Sequence, residues 1–250
     1  MESRLTVKRR LSALRVRYII KYTKESNIKF ISHLDMQRTI QRTIRRSGLP
    51  VQYSKGFNPH IEMSIAQPLG VGVYSSGEYF DLMMEEELDE KEVIDRLNKC
   101  SASGIKYLSA KKLILIDNER KIPRSMALID ACRYTIKIKY KNIDLTESEV
   151  NELLKRDNWT TLKKSKKSER LVNIKPFVFD FKFWIKDNYL VLNTLLRSGS
   201  KEHLAADVLI NFIKENTSEV DNEAFVDVKR EEMYYYKGEK LEPLYNYRQV

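Results

Sequence analysis

The chain is poor in the residues that metal and redox sites are built from. It has 250 residues but two cysteines, Cys100 and Cys132, far apart in sequence. They form no zinc motif, and so few thiols in a chain this long point to a reducing compartment. There is no HxxxH pair, no Cys–His cluster and no Asp-rich ligand loop, so neither a metal nor a cofactor is expected. A phosphate loop, a dinucleotide fingerprint and a serine nucleophile elbow are also missing. "GVGVYSSG" is strand-like and has no helix after it, so its glycines read as turn and bulge positions. No apolar run approaches the roughly 18 residues a membrane helix needs. Charged and polar residues sit near the N-terminus where a signal peptide would have its apolar core, so a cytoplasmic protein away from membranes is expected.

What is there is a soluble, folded composition. Hydrophobic residues make up 42% and charged residues 32%, enough for one large or two small domains with real cores. The net charge of +10 favours polyanionic partners and says nothing about fold.

Alternation over 15–22, "RVRYIIKY", predicts a strand. "SHLDMQRTIQRTIRRSG" is the clearest helix, capped by Ser32 with Asp35 as capping-box partner and ended by Gly48 and Pro50. "IEMSIAQ" and "GEYFDLMM" read as strands, "DEKEVIDRLNK" as a short helix, and "GIKYLSAKKLIL" as a strand with room for a bulge. The polar "DNERKIPRS" stretch then marks a boundary. Beyond it, "ACRYTIKIKYKN" puts Tyr134, Ile136, Ile138 and Tyr140 on one strand face. A helix capped by Thr146 with Glu149 as partner follows, then a hairpin with a lysine-rich tip at 159–174. Two long strands turn at Asp187-Asn188, "KEHLAADVLINFIKE" is a helix opened by His203, and "AFVDVKREEMYYY" is a last strand. The expected fold is α+β: two ferredoxin-like β-α-β-β-α-β domains with antiparallel sheets. They span 15–117 and 131–250, with a basic arm at 1–14 and a linker at 118–130.

On the first helix Met36, Ile40 and Ile44 share one face, and Arg38, Arg42, Arg45 and Arg46 gather on the other. No acid falls between 36 and 47 to neutralise them. The stripe is either a solvated face or a phosphate-facing one. Arg4, Lys8, Arg9, Arg10, Arg15 and Arg17 at the N-terminus, and Lys163, Lys164, Lys166, Lys167 and Arg170 in the hairpin, add two further basic segments. The acids are concentrated: Asp81 to Asp95 holds eight acidic residues and one basic, a face suited to solubility or to docking a basic protein.

The loop "SKGFNPH" follows the arginine helix. Lys55, Phe57, Asn58 and His60 there offer a charge, a stacking ring and hydrogen-bonding groups suited to looped RNA. The alternative is a plain turn with Phe57 buried. Gly56 and Pro59 are expected to shape the loop, with Asn58 and His60 facing a pocket. His33 and His60 together would suit metal-independent RNA cleavage by one acid and one base, though no recognisable spacing links the rings. Trp159 and Trp184 lie in strand-like segments and are expected in the core.

"SHLD" followed by "RRSGLP", "YSKGFNPH" and "PLGVGVYSSGEY" resembles the family of domain of unknown function 2344, the radical-SAM-linked proteins. "LRSGSKEHLAADVL" and "VKREEMYYYKGEKLEPL" extend the resemblance more loosely, over most of 15–245. The resemblance implies a neighbour that is a radical S-adenosylmethionine protein, and a setting near RNA and ribosomes. This chain has no CxxxCxxC triad to hold a four-iron cluster, so it is expected as the stand-alone accessory and not the radical enzyme. The reading is a non-catalytic accessory that binds RNA (tRNA or rRNA) or a ribonucleoprotein. The alternatives are a ribonuclease or RNA-modifying component using His33 and His60, and a protein-docking module that touches no RNA.

Overall fold

Strict alternation shapes the first strand, β1 (Leu14–Lys24). Val16, Tyr18, Ile20 and Tyr22 point to one face and are buried there. The helix α1 (His33–Arg46) lays Met36, Ile40 and Ile44 into the same core, as its four-residue spacing requires. The structure, a computed structural model, describes residues 14–116, 122–164, 169–199 and 202–247. By internal contacts the chain divides into two compact units, 1–128 with 235–250, and 129–234. Both are mixed α/β, with antiparallel sheets and few helices. No helix among the described residues is long and apolar enough to cross a membrane.

In the first unit β1 pairs on one side with β3 (Val73–Met84), in register Tyr18↔Leu82 and Ile20↔Phe80. On its other side it pairs with β4 (Tyr107–Ile116). The short β2 (Met63–Ile65) lies along the far edge of β3, so the order is β4-β1-β3-β2 with every neighbour antiparallel. α1 and α2 (Glu90–Lys99) cover one face; Val93 and Leu97 of α2 join the core under α1. Asp89 caps α2 by accepting from the Lys91 and Glu92 amides.

The opposite face of β1 and β3 holds a buried ion pair. Arg17 Nε lies 3.5 Å from Asp81 Oδ1, and both side chains are 4% exposed. Arg17 also donates to the Ile122 and Pro123 carbonyls at 3.2 and 2.8 Å. Asp81 accepts from the Ser125 amide and hydroxyl at 2.8 and 2.9 Å, at the start of the helical turn α3 (Ser125–Leu128). Arg17 is therefore not part of a solvent-facing basic arm: its charge anchors the segment leaving the first unit. Arg4, Lys8, Arg9 and Arg10 lie outside the described residues, as does the Arg15 side chain.

The second unit runs β5 (Ala131–Lys139), α4 (Thr146–Lys155), β6 (Thr160–Lys164), β7 (Glu169–Asn173), β8 (Val178–Lys186), β9 (Tyr189–Arg197), α5 (Ala206–Glu215) and β10 (Asp227–Lys237). Its sheet order is β10-β5-β9-β8, again antiparallel throughout, while β6 and β7 form a separate hairpin. Tyr134, Ile136, Ile138 and Tyr140 are all buried, as the alternation predicts. Trp159 seals this core. It stacks on Phe212 at 5.5 Å, meets Phe181 edge-on at 5.7 Å, and donates Nε1–H to the Leu153 carbonyl.

Several local expectations change. Leu145, not Thr146, occupies the cap of α4, and the Glu149 carboxylate goes instead to the amide and hydroxyl of Ser218. α5 begins at Ala206, so His203 precedes the helix and sits 3.3 Å from the Ser198 hydroxyl. Trp184 is 46% exposed, because its strand β8 is the outer strand of the second unit's sheet and the indole points away from Trp159. The segment after Tyr234 groups with the first unit, where β11 (Lys240–Pro243) folds back on the end of β10. There Tyr247 packs edge-on against Tyr235 and the Tyr245 ring lies 4.7 Å from Lys21 Nζ.

Candidate functional site

The best-formed constellation in the first unit starts at the N-terminus of α1. The Ser32 hydroxyl accepts from the Asp35 amide and donates to the Asp35 carboxylate at 2.7 Å. That bond, and then Arg38, holds the Asp35 carboxyl below its usual range. Replacing Ser32 by Ala is expected to cost about 1 kcal/mol of stability, checked by urea unfolding.

Along the outer side of α1, Arg38, Arg42, Arg45 and Arg46 are all exposed. Arg38 is tied to Asp35 at 3.1 Å, an exposed pair of little energetic weight. Arg46 donates to the Cys100 carbonyl at 2.7 Å and keeps its charge. Among the described residues Arg42 and Arg45 have no ion-paired or hydrogen-bonded acid. The acids of 81–95 do not reach these arginines; they are spent elsewhere. Asp81 is buried against Arg17, Glu87 pairs with Lys112, Glu90 accepts from the Lys112 amide, and Glu92 holds Arg96. Much of the acidic segment is thus neutralised within its own unit.

The loop after α1 is closed at its base. The Ser54 amide donates to the His60 carbonyl at 2.7 Å, the His60 amide to the Ser54 hydroxyl at 3.0 Å, and Tyr53 bridges to Ile61. Gly56 takes φ 129°, a conformation that a side chain would strain. Lys55, Phe57, Asn58, Pro59 and His60 all stand in solvent, and Phe57 is fully exposed at 111%. A buried Phe57 is excluded, and Asn58 and His60 face solvent, not a pocket.

A small cleft, about 270 Å³ of open space, lies instead between α1 and the sheet, lined by Tyr22, Lys24, Ser32, His33, Met36 and Glu78 among others. His60 is not among its lining residues, so this cleft does not unite the two rings that acid–base cleavage would need. Lys24 is buried and donates to the Lys29 and Ile31 carbonyls at 2.9 and 3.1 Å. Glu78 is buried beside it. Neither residue stands out in the sequence reading. The signal was alternation: Lys24 continues the inward positions of β1, and Glu78 those of β3.

A family model described as "Uncharacterized protein conserved in bacteria (DUF2344)" matches residues 17–206. The chain belongs to this family. The match covers α1, the exposed loop and the cleft, and runs on through the hairpin and β9 of the second unit. No curated protein matches. Among solved structures, a chain of a Cbf5-Nop10-Gar1 complex aligns with TM-score 0.47 at 9% identity, covering 91% of this chain and 50% of that one. This chain thus spans about half the length of that neighbour. An unknown protein from Galdieria sulphuraria aligns with TM-score 0.24 at 8% identity, covering 86% of this chain and 97% of that one.

For this family member the remaining candidates fall as follows. Lys163 and Lys164 end β6, with side chains outside the described residues; Lys166 and Lys167 lie outside them altogether. Among the described residues no group of three or more His, Cys, Asp or Glu converges on a metal-sized site. Cys132 is buried in β5 and Cys100 is half-buried after α2.

Proposed function

We propose that this protein binds RNA or a ribonucleoprotein as a non-catalytic accessory of a radical S-adenosylmethionine enzyme. The observation that carries the RNA part is the exposed Phe57, held at the tip of a closed loop that follows a helix whose Arg42 and Arg45, among the described residues, have no ion-paired or hydrogen-bonded acid. A ring kept in water at a hydrophobic cost suits base stacking, worth about 1–3 kcal/mol per base, and guanidinium groups suit phosphate. Arg38, Arg46, Lys55, Asn58 and His60 extend this surface, and Lys163, Lys164, Lys166 and Lys167 are proposed as a second contact. The enzyme partner is carried over from the family resemblance. We also take each unit as a ferredoxin-like element: both place their strands in the same all-antiparallel order, with β6–β7 as an insertion in the second.

Affinity for a purified tRNA should fall steeply with salt. Changing Arg42 and Arg45 together to Gln should reduce the slope of log K against log salt by about 1.4–1.8, since each phosphate contributes about 0.7–0.9. His60→Ala should weaken binding while changing that slope less than the arginine pair does, because a contact to a base releases no phosphate counterion. A wild-type protein that binds no RNA at low salt, yet retains a protein partner in a pull-down, would replace this reading with a docking module.

A further inference from the structure

Opposite the helices, the sheet of the second unit has a face that carries many charged groups and one exposed indole, Trp184, with Tyr189 and Val191 on the neighbouring strand. A hydrogen-bonded ladder crosses it. Arg133 donates to Asp180 at 2.9 Å and to Asn193 at 2.7 Å; Asn193 donates to Thr135 at 3.3 Å; Thr135 donates to Glu231 at 2.8 Å. Lys229 pairs with Glu231 at 2.7 Å and Lys139 with Asp221 at 3.6 Å. These contacts fix which side chains share the face, and alternation along β8 adds Lys182, Trp184 and Lys186 to the side of Asp180. Trp184 stands opposite Val191, and Val191 opposite Lys137. Lys137, Lys182 and Lys186 are exposed, and among the described residues none of the three is ion-paired or hydrogen-bonded to an acid, although Asp227 stands opposite Lys137 in register.

We infer that this face is a binding platform for single-stranded RNA, with Trp184 stacking a base and Lys137, Lys182 and Lys186 holding the flanking phosphates. The inference rests on the RNA-binding reading above and adds a surface on a different unit. Three features favour a nucleic acid strand. An indole left in water beside lysines on a sheet face gains by covering its ring. The ladder satisfies most of the other polar groups on the face. The cations left over are spaced around the ring, while the acids of the ladder, Asp180 and Glu231, are already engaged. Stacking on one ring needs no particular base, so recognition here is sequence-tolerant, with strong salt dependence.

The test uses the full chain and a labelled 12-mer oligouridylate, read by anisotropy, with the unlabelled oligomer followed by tryptophan emission. Binding should quench the emission of Trp184, while the buried Trp159 keeps its signal. Trp184→Ala should weaken binding about tenfold without lowering the melting temperature, because the ring contributes little to the core. Lys137, Lys182 and Lys186 changed together to Gln should reduce the salt slope by about two. If the oligomer binds but Trp184→Ala changes neither affinity nor quenching, this platform is wrong and the surface of the first unit stands alone. If neither the oligomer nor tRNA binds at low salt, the platform and the RNA-binding reading fall together.

Discussion

Replacing Arg17 by Met is expected to cost the first unit about 3–5 kcal/mol at neutral pH, the usual penalty for leaving one member of a buried ion pair alone. Three interactions end at once: the 3.5 Å contact with Asp81 and the two bonds to the Ile122 and Pro123 carbonyls. The loss carries a pH signature. Burial already raises the Asp81 carboxyl above its usual range, against the opposing pull of Arg17 and the Ser125 bonds. Without Arg17 it rises further. A raised carboxyl contributes stability that is fully present below its unfolded pKa and lost as pH climbs through the folded one. The gap between variant and wild type should therefore be widest at neutral pH and narrow toward the ordinary carboxylate range. Urea unfolding between pH 4 and 7.5 measures it. A gap that stays constant would show that the carbonyl contacts, and not the Asp81 charge, set the cost.

Trp159→Ala should be comparably severe in the second unit, about 3–5 kcal/mol, from lost burial and the cavity left behind. The ring is 1% exposed and touches Phe181 and Phe212, and its Nε1–H donates to the Leu153 carbonyl, which the variant leaves unpaired by this donor. Trp159→Phe should recover part of this, since it restores most of the volume without the donor. The paired variant Trp184→Ala should leave unfolding within about 0.5 kcal/mol of wild type, as surface changes do. Equal losses from the two tryptophans would mean that Trp184 is covered, and would remove the sheet-face platform with it.

These two tryptophans mark where reading the chain succeeds and where it stops. Both sit in strand-like stretches of sequence and both look apolar enough for a core, but Trp159 falls just before β6 while Trp184 lies within β8. Trp159 is covered by Phe181, Phe212 and the end of α4, whereas Trp184, in the outermost strand of its unit, projects to the open face; only the tertiary packing separates them. Arg17 fails in the same way. Its neighbours in sequence are basic, so it reads as part of an arm, yet its contacts are with Asp81 and with a segment 105 and 106 residues away. The acidic stretch 81–95 reads as one charged face, but five of its eight carboxylates serve caps and ion pairs within the first unit.

By itself the sequence determined α1 with its Ser32 cap and two opposed faces, the strand that buries Tyr134, Ile136 and Ile138, the Asp187-Asn188 turn, and the motifs that carry the family resemblance. Those features follow from periodicities of two and about 3.6 residues and from turn chemistry, which act between near neighbours. The tertiary structure alone decided that Phe57 and Trp184 meet water, that His33 lines a cleft without His60, and that Arg17 and Asp81 are buried. Whether a charge or a ring is covered depends on segments distant in sequence that pack over it, and no local period encodes their arrival.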